Sequence, residues 1–196
     1  MRTSSDSSRV RDDGIETLAS HGRIPIAFMV ERTLDVVLID AGLGGVHLRE
    51  RRVPAPWVKD YDALDGEGPS RWATRFDISR WGLLGAYEDA ERVGGVVIAW
   101  GSPDVRLLAD RADLAFVWDL RVRPDHRRKG IGSELLWAAY DWAAERGCRE
   151  IGVETQNVNV PACRLYAREG FHLTRIDRSA YPDLPEETQL LWRRAL

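Results

Sequence analysis

The sequence predicts an α+β fold in which a mixed sheet carries helices on its faces. In the first half, three apolar segments predict strands, at residues 26–39, 81–88 and 94–100, and the last two form a hairpin. In the second half, strand, helix, strand, helix and strand follow one another between residues 115 and 173. Hairpins followed by strand–helix units are typical of a layered α+β domain.

Local patterns support the individual elements. The helix predicted over residues 133–146 has apolar residues at helical spacing and Gly147 where a C′ glycine belongs. Further patterns predict strands at 115–122, 148–155, from 170 and at 189–192, and a short helix at 160–169. Residues 54–80, rich in Pro, Gly, Asp and Trp, predict a long loop with one helical turn. We expect a mobile N-terminal tail over residues 1–22 and a single domain over 23–196.

Composition excludes several classes of function. The 196 residues carry a formal net charge of −3, which does not favour a nucleic-acid partner. Cys148 and Cys163 are too few for a disulfide framework or a metal cluster, and we expect them to be reduced and packed. No apolar run is long enough for a membrane span, and the N-terminus has no signal-type segment. We therefore expect a cytoplasmic monomer or homodimer without a metal, nucleic-acid or membrane partner.

The most informative stretch is RRKGIGSELL, residues 127–136. It lacks the third glycine of a dinucleotide fingerprint and the Gly-Lys-Ser/Thr of the Walker pattern. What remains is a strand, a short turn and two glycines at the start of a helix, where amides point outward at the positive end of the dipole. Glycines there let a phosphate approach the backbone closely. The residues alone leave two alternatives open: a phosphate cradle, and a tight turn with solvated cations.

Two motifs resemble the signatures of the GNAT superfamily of N-acetyltransferases. The first, Gln/Arg-x-x-Gly-x-Gly/Ala, is matched by Arg127, Gly130 and Gly132. The second, Asn-x-x-Ala-x-x-Leu-Tyr-x-x-x-Gly-Phe, is matched without gaps at Asn159, Ala162, Leu165, Tyr166, Gly170 and Phe171. The resemblance implies a three-layer α/β/α GNAT fold whose mixed, mostly antiparallel central sheet is splayed at the cofactor site.

Further segments resemble the streptothricin acetyltransferases within that superfamily. They are ETQNVNVPACRLYAREGF from Glu154 onward, the upstream Lys59-Asp60-Tyr61, and the late Glu187-Thr188. The similarity spans most of the chain and is dense over residues 122–171. It departs after Tyr61, where DALDGEGP interrupts the nearly unbroken acidic run of those proteins.

The resemblance implies acetyl-CoA as the acetyl donor and a primary amine as the acceptor. The pantetheine arm is expected to meet the backbone of Leu120 and Val122 as an added strand. The other cofactor-binding residues implied are those of the glycine loop: Arg127, Arg128, Lys129, Gly130, Ile131, Gly132 and Ser133. Their amides would take the pyrophosphate. Asn159 would hold the arm or a water, and as the N-cap of the following helix it has an equally good structural role.

Three residues are candidates for proton transfer. Tyr166 is the predicted general acid for the leaving thiolate, while periodicity alone favours a core tyrosine. Asp119 and Glu154 are the candidate bases that take a proton from the acceptor ammonium. Asp119 has the alternative role of a solvated partner for nearby arginines, and Glu154 that of a hydrogen-bond partner for the following turn. The sequence does not decide between these roles.

The acceptor side is predicted at the loop over residues 54–80. Asp60, Tyr61 and Asp62 are the predicted substrate residues, because the carboxylates from Asp60 to Glu67 would attract a cationic amine. A solvated loop has the same composition. The expected acceptor is a small cationic molecule such as a streptothricin-type antibiotic with its β-lysine amine. A protein or peptide amine, and acetyl-CoA binding without turnover, are the alternatives.

Overall fold

The computed structural model describes residues 9–64 and 67–196, which fall into two compact units. The first unit contains the described residues up to Ile26, Asp62–Ile151 and Ala195–Leu196. The second contains Ala27–Tyr61 and Gly152–Arg194. The single domain expected over residues 23–196 stays a prediction, and its boundary at residue 22 does not coincide with a border between the units.

The first unit contains four strands in the order β1-β4-β5-β6, each antiparallel to its neighbour. Its strands are β1 Val10–Asp12, β4 Gly82–Glu88, β5 Glu91–Ala99 and β6 Leu114–Val122. Its helices are α1 Leu18–His21, α2 Pro69–Arg75 and α3 Ile131–Glu145. The predicted hairpin is therefore β4 and β5, and the long predicted helix is α3. Gly147 has a φ of +77°, as expected of a C′ glycine.

Helices cover both faces of this sheet, as two consecutive glycines of β5 show. A Cβ at Gly94 would lie 3.2 Å from side-chain atoms of Ile131 and Leu135 in α3. A Cβ at Gly95 would lie 2.6 Å from Nδ1 of His21 in α1. Because successive strand residues point to opposite faces, α3 and α1 lie on opposite sides of the sheet. The first unit therefore has α/β/α layers.

Strand β6 contains a β-bulge at Trp118. Asp119 pairs with Val97 and Val117 with Ile98, so that Trp118 is the extra residue. Bulges bend a strand and redirect its side chains, and they are over-represented next to active sites. Beyond the bulge, Asp119 and Arg121 are buried.

The second unit contains a long hairpin, further strands and one helix. Its elements are β2 Phe28–Leu38, β3 Val46–Lys59, β7 Glu150–Gln156, α4 Val160–Arg168, β8 His172–Asp177 and β9 Gln189–Ala195. β2 and β3 form an antiparallel two-stranded sheet, and the other strands follow the order β7-β9-β8. β7 begins in the first unit and enters the second at Gly152. Val30, Val53 and Val158 form a small core on which Phe28 packs.

Two expectations differ from the structure. Residues 9–22 of the expected mobile tail contain β1 and α1, because β1 pairs with β4 and His21 is fully buried. Residues 1–8, and also 65–66, lie outside the described residues. The loop expected over 54–80 instead begins inside β3, whose Pro54 and Pro56 are tolerated because the strand lies at a sheet edge. The same region contains the seven-residue helix α2. No helix within residues 9–64 and 67–196 is long and apolar enough to cross a membrane.

Candidate active site

The loop between β6 and α3 has the backbone shape of an anion cradle. Gly130, the N-cap of α3, has a φ of 88°, and Arg128 has a φ of 69°. The amides of Ser133 and Glu134 donate to the Gly130 carbonyl at 2.9 and 3.1 Å and so close the first turn. The amides of Ile131 and Gly132 precede them at the N-terminus, where the helix supplies no carbonyl partner. A non-glycine residue such as Arg128 in a left-handed conformation is strained, which is frequent at functional sites.

The space in front of Gly130 is open. A Cβ at this position would meet only Glu134 Oε1 within 4 Å, at 3.8 Å. Arg128, Lys129 and Gly130 are exposed. A phosphate group therefore has room to approach these amides, with Lys129 adding charge at longer range. The residues of this loop fit the pyrophosphate of a coenzyme A molecule.

Arg127 has a different part in the loop from its two neighbours. Its Nε donates to the Val122 carbonyl at 3.0 Å, and its Nη2 donates to the Pro25 carbonyl at 3.1 Å. Burial lowers the pKa of this guanidinium from its usual value. Arg127 thus ties the loop to the end of β6 and to the segment after α1. It occupies the Val122 carbonyl, one of the backbone groups predicted to meet the pantetheine arm.

The strand residues of the predicted cofactor edge are half-buried. Leu120 pairs with Val96 of β5, and Val122 pairs with Gly94. Strand alternation places their side chains opposite Asp119 and Arg121. Their contact with a pantetheine arm stays a prediction, as does the splay of the sheet.

A buried ionic network lies on the other face of β6, within the first unit. His21 Nε2 lies 2.7 Å from Asp119 Oδ1, and Arg121 Nε donates to the same oxygen at 2.8 Å. Arg121 also donates to Asp62 through both terminal nitrogens, at 2.5 and 2.8 Å. Asp62 precedes α2, so the network joins α1, β6 and the predicted acceptor segment.

Asp119 is paired in this network and is a poor candidate for a base. Burial alone raises the pKa of its carboxyl, but hydrogen bonds and charges from His21 and Arg121 outweigh burial and hold the pKa below its usual range. A carboxylate with a lowered pKa holds a transferred proton weakly. Arg121 is one of the arginines that the sequence predicts as solvated partners of Asp119. In the structure this pair is buried.

Glu154, on β7, has the opposite environment. Its Oε1 accepts from the Tyr181 hydroxyl at 2.6 Å, and its Oε2 accepts from Gln189 Nε2 at 2.7 Å. Burial raises the pKa of Glu154, and these two hydrogen bonds offset only part of that increase. Because both donors are uncharged, they orient the carboxylate without neutralising it. The direction of this shift gives the carboxyl a higher proton affinity, which favours a general base.

The second signature motif forms α4 and the turn after it. Asn159 is the N-cap of α4, and its Oδ1 accepts from the Ala162 amide at 3.2 Å. Asn159 therefore has the structural role predicted for it, that of the N-cap of α4. Tyr166 is buried, with its ring centroid 5.7 Å from that of Phe171 in an edge-on arrangement. Its proposed part in proton transfer is compatible with this packing and stays a prediction.

Lys59 and Tyr61, at the end of β3, meet at a buried glutamate. The Tyr61 hydroxyl donates to Glu187 Oε2 at 2.8 Å, and Lys59 pairs with the other oxygen of Glu187. Burial and the Glu187 charge raise the pKa of Tyr61 well above its usual value. Tyr61 is therefore a neutral hydrogen-bond donor in this cluster. Asp60 is half-buried beside it, and Asp65 of the acidic run lies outside the described residues.

Sequence reasoning missed His21, Tyr181 and Gln189 as parts of these clusters. His21 was assigned to a mobile tail, and the partners of Glu154 are 27 and 35 residues away in the chain. The nearest sequence signal is Glu187-Thr188, because this segment resembles the streptothricin acetyltransferases and directly precedes Gln189. The described residues contain no group of three His, Cys, Asp or Glu side chains that could hold a metal ion. Cys148 and Cys163 are buried and free, as expected.

Comparison with known proteins decides the family. Residues 49–171 match the model of the Acetyltransferase (GNAT) family. A streptothricin acetyltransferase from Escherichia coli is 34% identical over 168 residues, which cover 84% of this chain and 83% of that protein. The chain belongs to the GNAT acetyltransferase family. The match begins in β3 and ends just after α4, so it contains both signature motifs.

A second relative agrees with this placement, and a solved structure shares the fold. A streptothricin acetyltransferase from Streptomyces lavendulae is 30% identical, over 79% of this chain and 78% of that protein. The crystal structure of an acetyltransferase from Bacillus anthracis, in complex with acetyl coenzyme A, superposes with a TM-score of 0.73. That match covers 95% of this chain and 98% of the other at 23% identity. The predicted α+β GNAT fold is confirmed, and so is the enzyme class, an acetyl-CoA-dependent acetyltransferase.

Proposed function

We propose that this GNAT enzyme acetylates a primary amine of a small cationic molecule, of the kind that streptothricin-type antibiotics carry. The observation that carries the proposal is the environment of Glu154. This carboxyl is half-buried, has a raised pKa and is held by two uncharged donors. An ammonium must lose a proton before it attacks, and a carboxylate of this kind is suited to accept it.

Acetyl-CoA supplies an acetyl group activated as a thioester. The amides at the start of α3, from Arg128 to Gly132, would hold its pyrophosphate, and Lys129 would attract it. Arg127 keeps the loop in shape by its bonds to Val122 and Pro25. These roles divide the loop into residues that bind through their backbone and one side chain that braces it.

Glu154 and Tyr166 would divide the proton transfers between them. Glu154 takes the proton from the acceptor ammonium, directly or through water, and Tyr166 gives one to the leaving sulfur. Glu154 is preferred over Asp119, because hydrogen bonds and charges from His21 and Arg121 hold the pKa of Asp119 low, whereas the uncharged partners of Glu154 leave its pKa raised. Tyr181 and Gln189 position Glu154 and are not themselves proposed to exchange protons.

The cationic nature of the acceptor has two supports. Relatives that match about four fifths of the chain are named streptothricin acetyltransferases. Asp60 adds a carboxylate between Lys59 and Tyr61 in the chain, and carboxylates attract cations from solution. Asp60, Tyr61 and Asp62 are the proposed residues of the acceptor side.

The proposal is tested by measuring free coenzyme A thiol released with a panel of amines. The panel contains streptothricin, a polyamine, an aminoglycoside, a lysine peptide and free lysine. Saturable turnover with one of the small cationic amines, abolished in Glu154→Gln, is the expected result. Turnover confined to the peptide would mean that the acceptor is a protein or peptide amine and not a small molecule. Acetyl-CoA binding without turnover on any amine would mean that the protein is not a catalyst.

A further inference from the structure

Arg121 is a fully used, buried guanidinium. Its side chain is 1% exposed, and every one of its five N–H groups has an acceptor. Nε and Nη2 donate to Asp119, both terminal nitrogens donate to Asp62, and Nη1 also donates to the Ile24 carbonyl at 3.1 Å. Strand residues with this charge are ordinarily solvated. The burial of Arg121 therefore requires that these segments stay together.

The two carboxylates of the network differ in how firmly they are held. Asp119 is 5% exposed, and its Oδ1, which accepts from Arg121 Nε, also lies 2.7 Å from His21 Nε2. Asp62 is 30% exposed and lies outside any helix or strand. A planar guanidinium that binds a carboxylate through two parallel hydrogen bonds fixes its orientation as well as its distance. Arg121 thus connects a rigid strand to a residue of the segment before α2.

A second contact joins the same segment to the same stretch of β6. Trp72 of α2 lies edge-on to Trp118, with ring centroids 6.3 Å apart. Trp118 is the bulged residue directly before Asp119. The α2 segment, defined here as Asp62–Leu64 and Pro69–Arg75, thereby contacts residues 118–121 at its first residue and at the middle of α2. The aromatic contact is apolar, whereas the Arg121–Asp62 contact depends on charge and geometry.

We propose that Arg121 is a positioning residue for the acceptor side, acting through Asp62 to hold the α2 segment against β6. The proposal rests on the function proposed above, in which this part of the chain receives the cationic amine. On this account Asp62 serves the acceptor through its bond to Arg121, and Arg121 contacts neither substrate. Loss of the bond is expected to weaken acceptor binding while the glycine loop keeps its affinity for acetyl-CoA.

The test uses Asp62→Asn, Arg121→Lys and Arg121→Gln singly, and Asp62→Asn combined with Arg121→Gln. Asp62→Asn keeps the shape of the side chain but removes its charge, and Arg121→Lys keeps the charge but loses the paired geometry. We expect Asp62→Asn to raise the acceptor KM about tenfold and the acetyl-CoA KM less than about twofold, with hydrogen exchange faster in the α2 segment. Arg121→Lys should fall between wild type and Asp62→Asn. Asp77→Asn, an exposed carboxylate that binds its own turn at Ser79, is the matched control.

The double variant separates positioning from direct contact with the amine. If Asp62 acts through Arg121, the two effects on acceptor KM are non-additive, and Asp62→Asn changes little once Arg121 is glutamine. Additive effects, or an acceptor KM and exchange rate unchanged in Asp62→Asn, would overturn the proposal. If Arg121→Gln does not fold, Arg121→Lys replaces it in the same cycle. If the wild type acetylates no amine, the proposed function fails. Hydrogen exchange then tests the anchoring of the α2 segment separately, because an unchanged exchange rate in Asp62→Asn would overturn it.

Discussion

The Tyr181 hydroxyl donates a hydrogen bond to Glu154 over 2.6 Å, and Glu154 is the carboxylate that we propose as the general base. Replacing Glu154 by glutamine keeps the shape of the side chain but removes its capacity to accept a proton. Turnover should fall about a hundredfold or more, with the acetyl-CoA KM little changed. Steady-state kinetics with the preferred amine measure both values. Glu150→Gln, at the start of the same strand, removes only a surface partner of Arg111 and is the control. Equal losses in the two variants would exclude Glu154 as the base.

The raised pKa of Glu154 also predicts a pH dependence of stability. A carboxyl whose pKa is higher in the folded protein than its ordinary 4.5 binds its proton more tightly after folding. Its contribution is therefore fully present below pH 4.5 and is lost as the pH rises through the raised value. Relative to Glu154→Gln, the wild type should lose free energy of unfolding across that window. Urea unfolding of both proteins from pH 4 to pH 8 measures the difference, and a constant difference would contradict the raised pKa.

Gly130 tests whether the loop binds through its backbone. Its φ of 88° strains any other residue by about 1–2 kcal/mol, although its surroundings leave space for a methyl group. Gly130→Ala should therefore raise the acetyl-CoA KM about three- to tenfold, by distorting the cradle. Lys129→Ala, which removes an exposed charge, should change it about twofold or less.

Gly147 provides the matched control for this strain. It lies at the other end of α3 with a φ of 77°, and a Cβ there would meet nothing within 4 Å. Gly147→Ala should destabilise the protein by a similar amount without affecting the acetyl-CoA KM. A larger effect of Lys129→Ala than of Gly130→Ala would mean that the stretch is a charge patch.

Tyr166→Phe separates the catalytic and packing roles of this tyrosine. The ring contact with Phe171 does not need the hydroxyl, so this packing should be retained in the variant. Turnover should fall about tenfold or more if the hydroxyl protonates the leaving sulfur. The acetyl-CoA KM should stay near its wild-type value. Turnover close to wild type would remove Tyr166 from the mechanism.

The parts of the fold with strong local patterns were predictable from the sequence. Apolar spacing located α3, and Gly147 marked its end, because both signals act within a few residues. β1 was missed, since Val10–Asp12 is short and polar and owes its order to pairing with β4. β3 was taken in part for a loop, because Pro54 and Pro56 disfavour a strand except at an edge.

The candidate site was predictable only where a motif or a chain neighbour carried the signal. The glycine loop and Tyr166 lie in contiguous motifs. The burial of Arg121 depends on Asp62, which is 59 residues away, and the partners of Glu154, Tyr181 and Gln189, are 27 and 35 residues away. Such pairings arise from tertiary packing, so no local pattern in this chain indicates which of Asp119 and Glu154 keeps its proton affinity.

Mass spectrometry of streptothricin after incubation with acetyl-CoA and the enzyme tests the proposed acetyl transfer. We expect a singly acetylated product with the acetyl group on a primary amine, formed by the wild type and not by Glu154→Gln. Unmodified streptothricin, together with a wild-type enzyme that acetylates only protein or peptide amines, would contradict it.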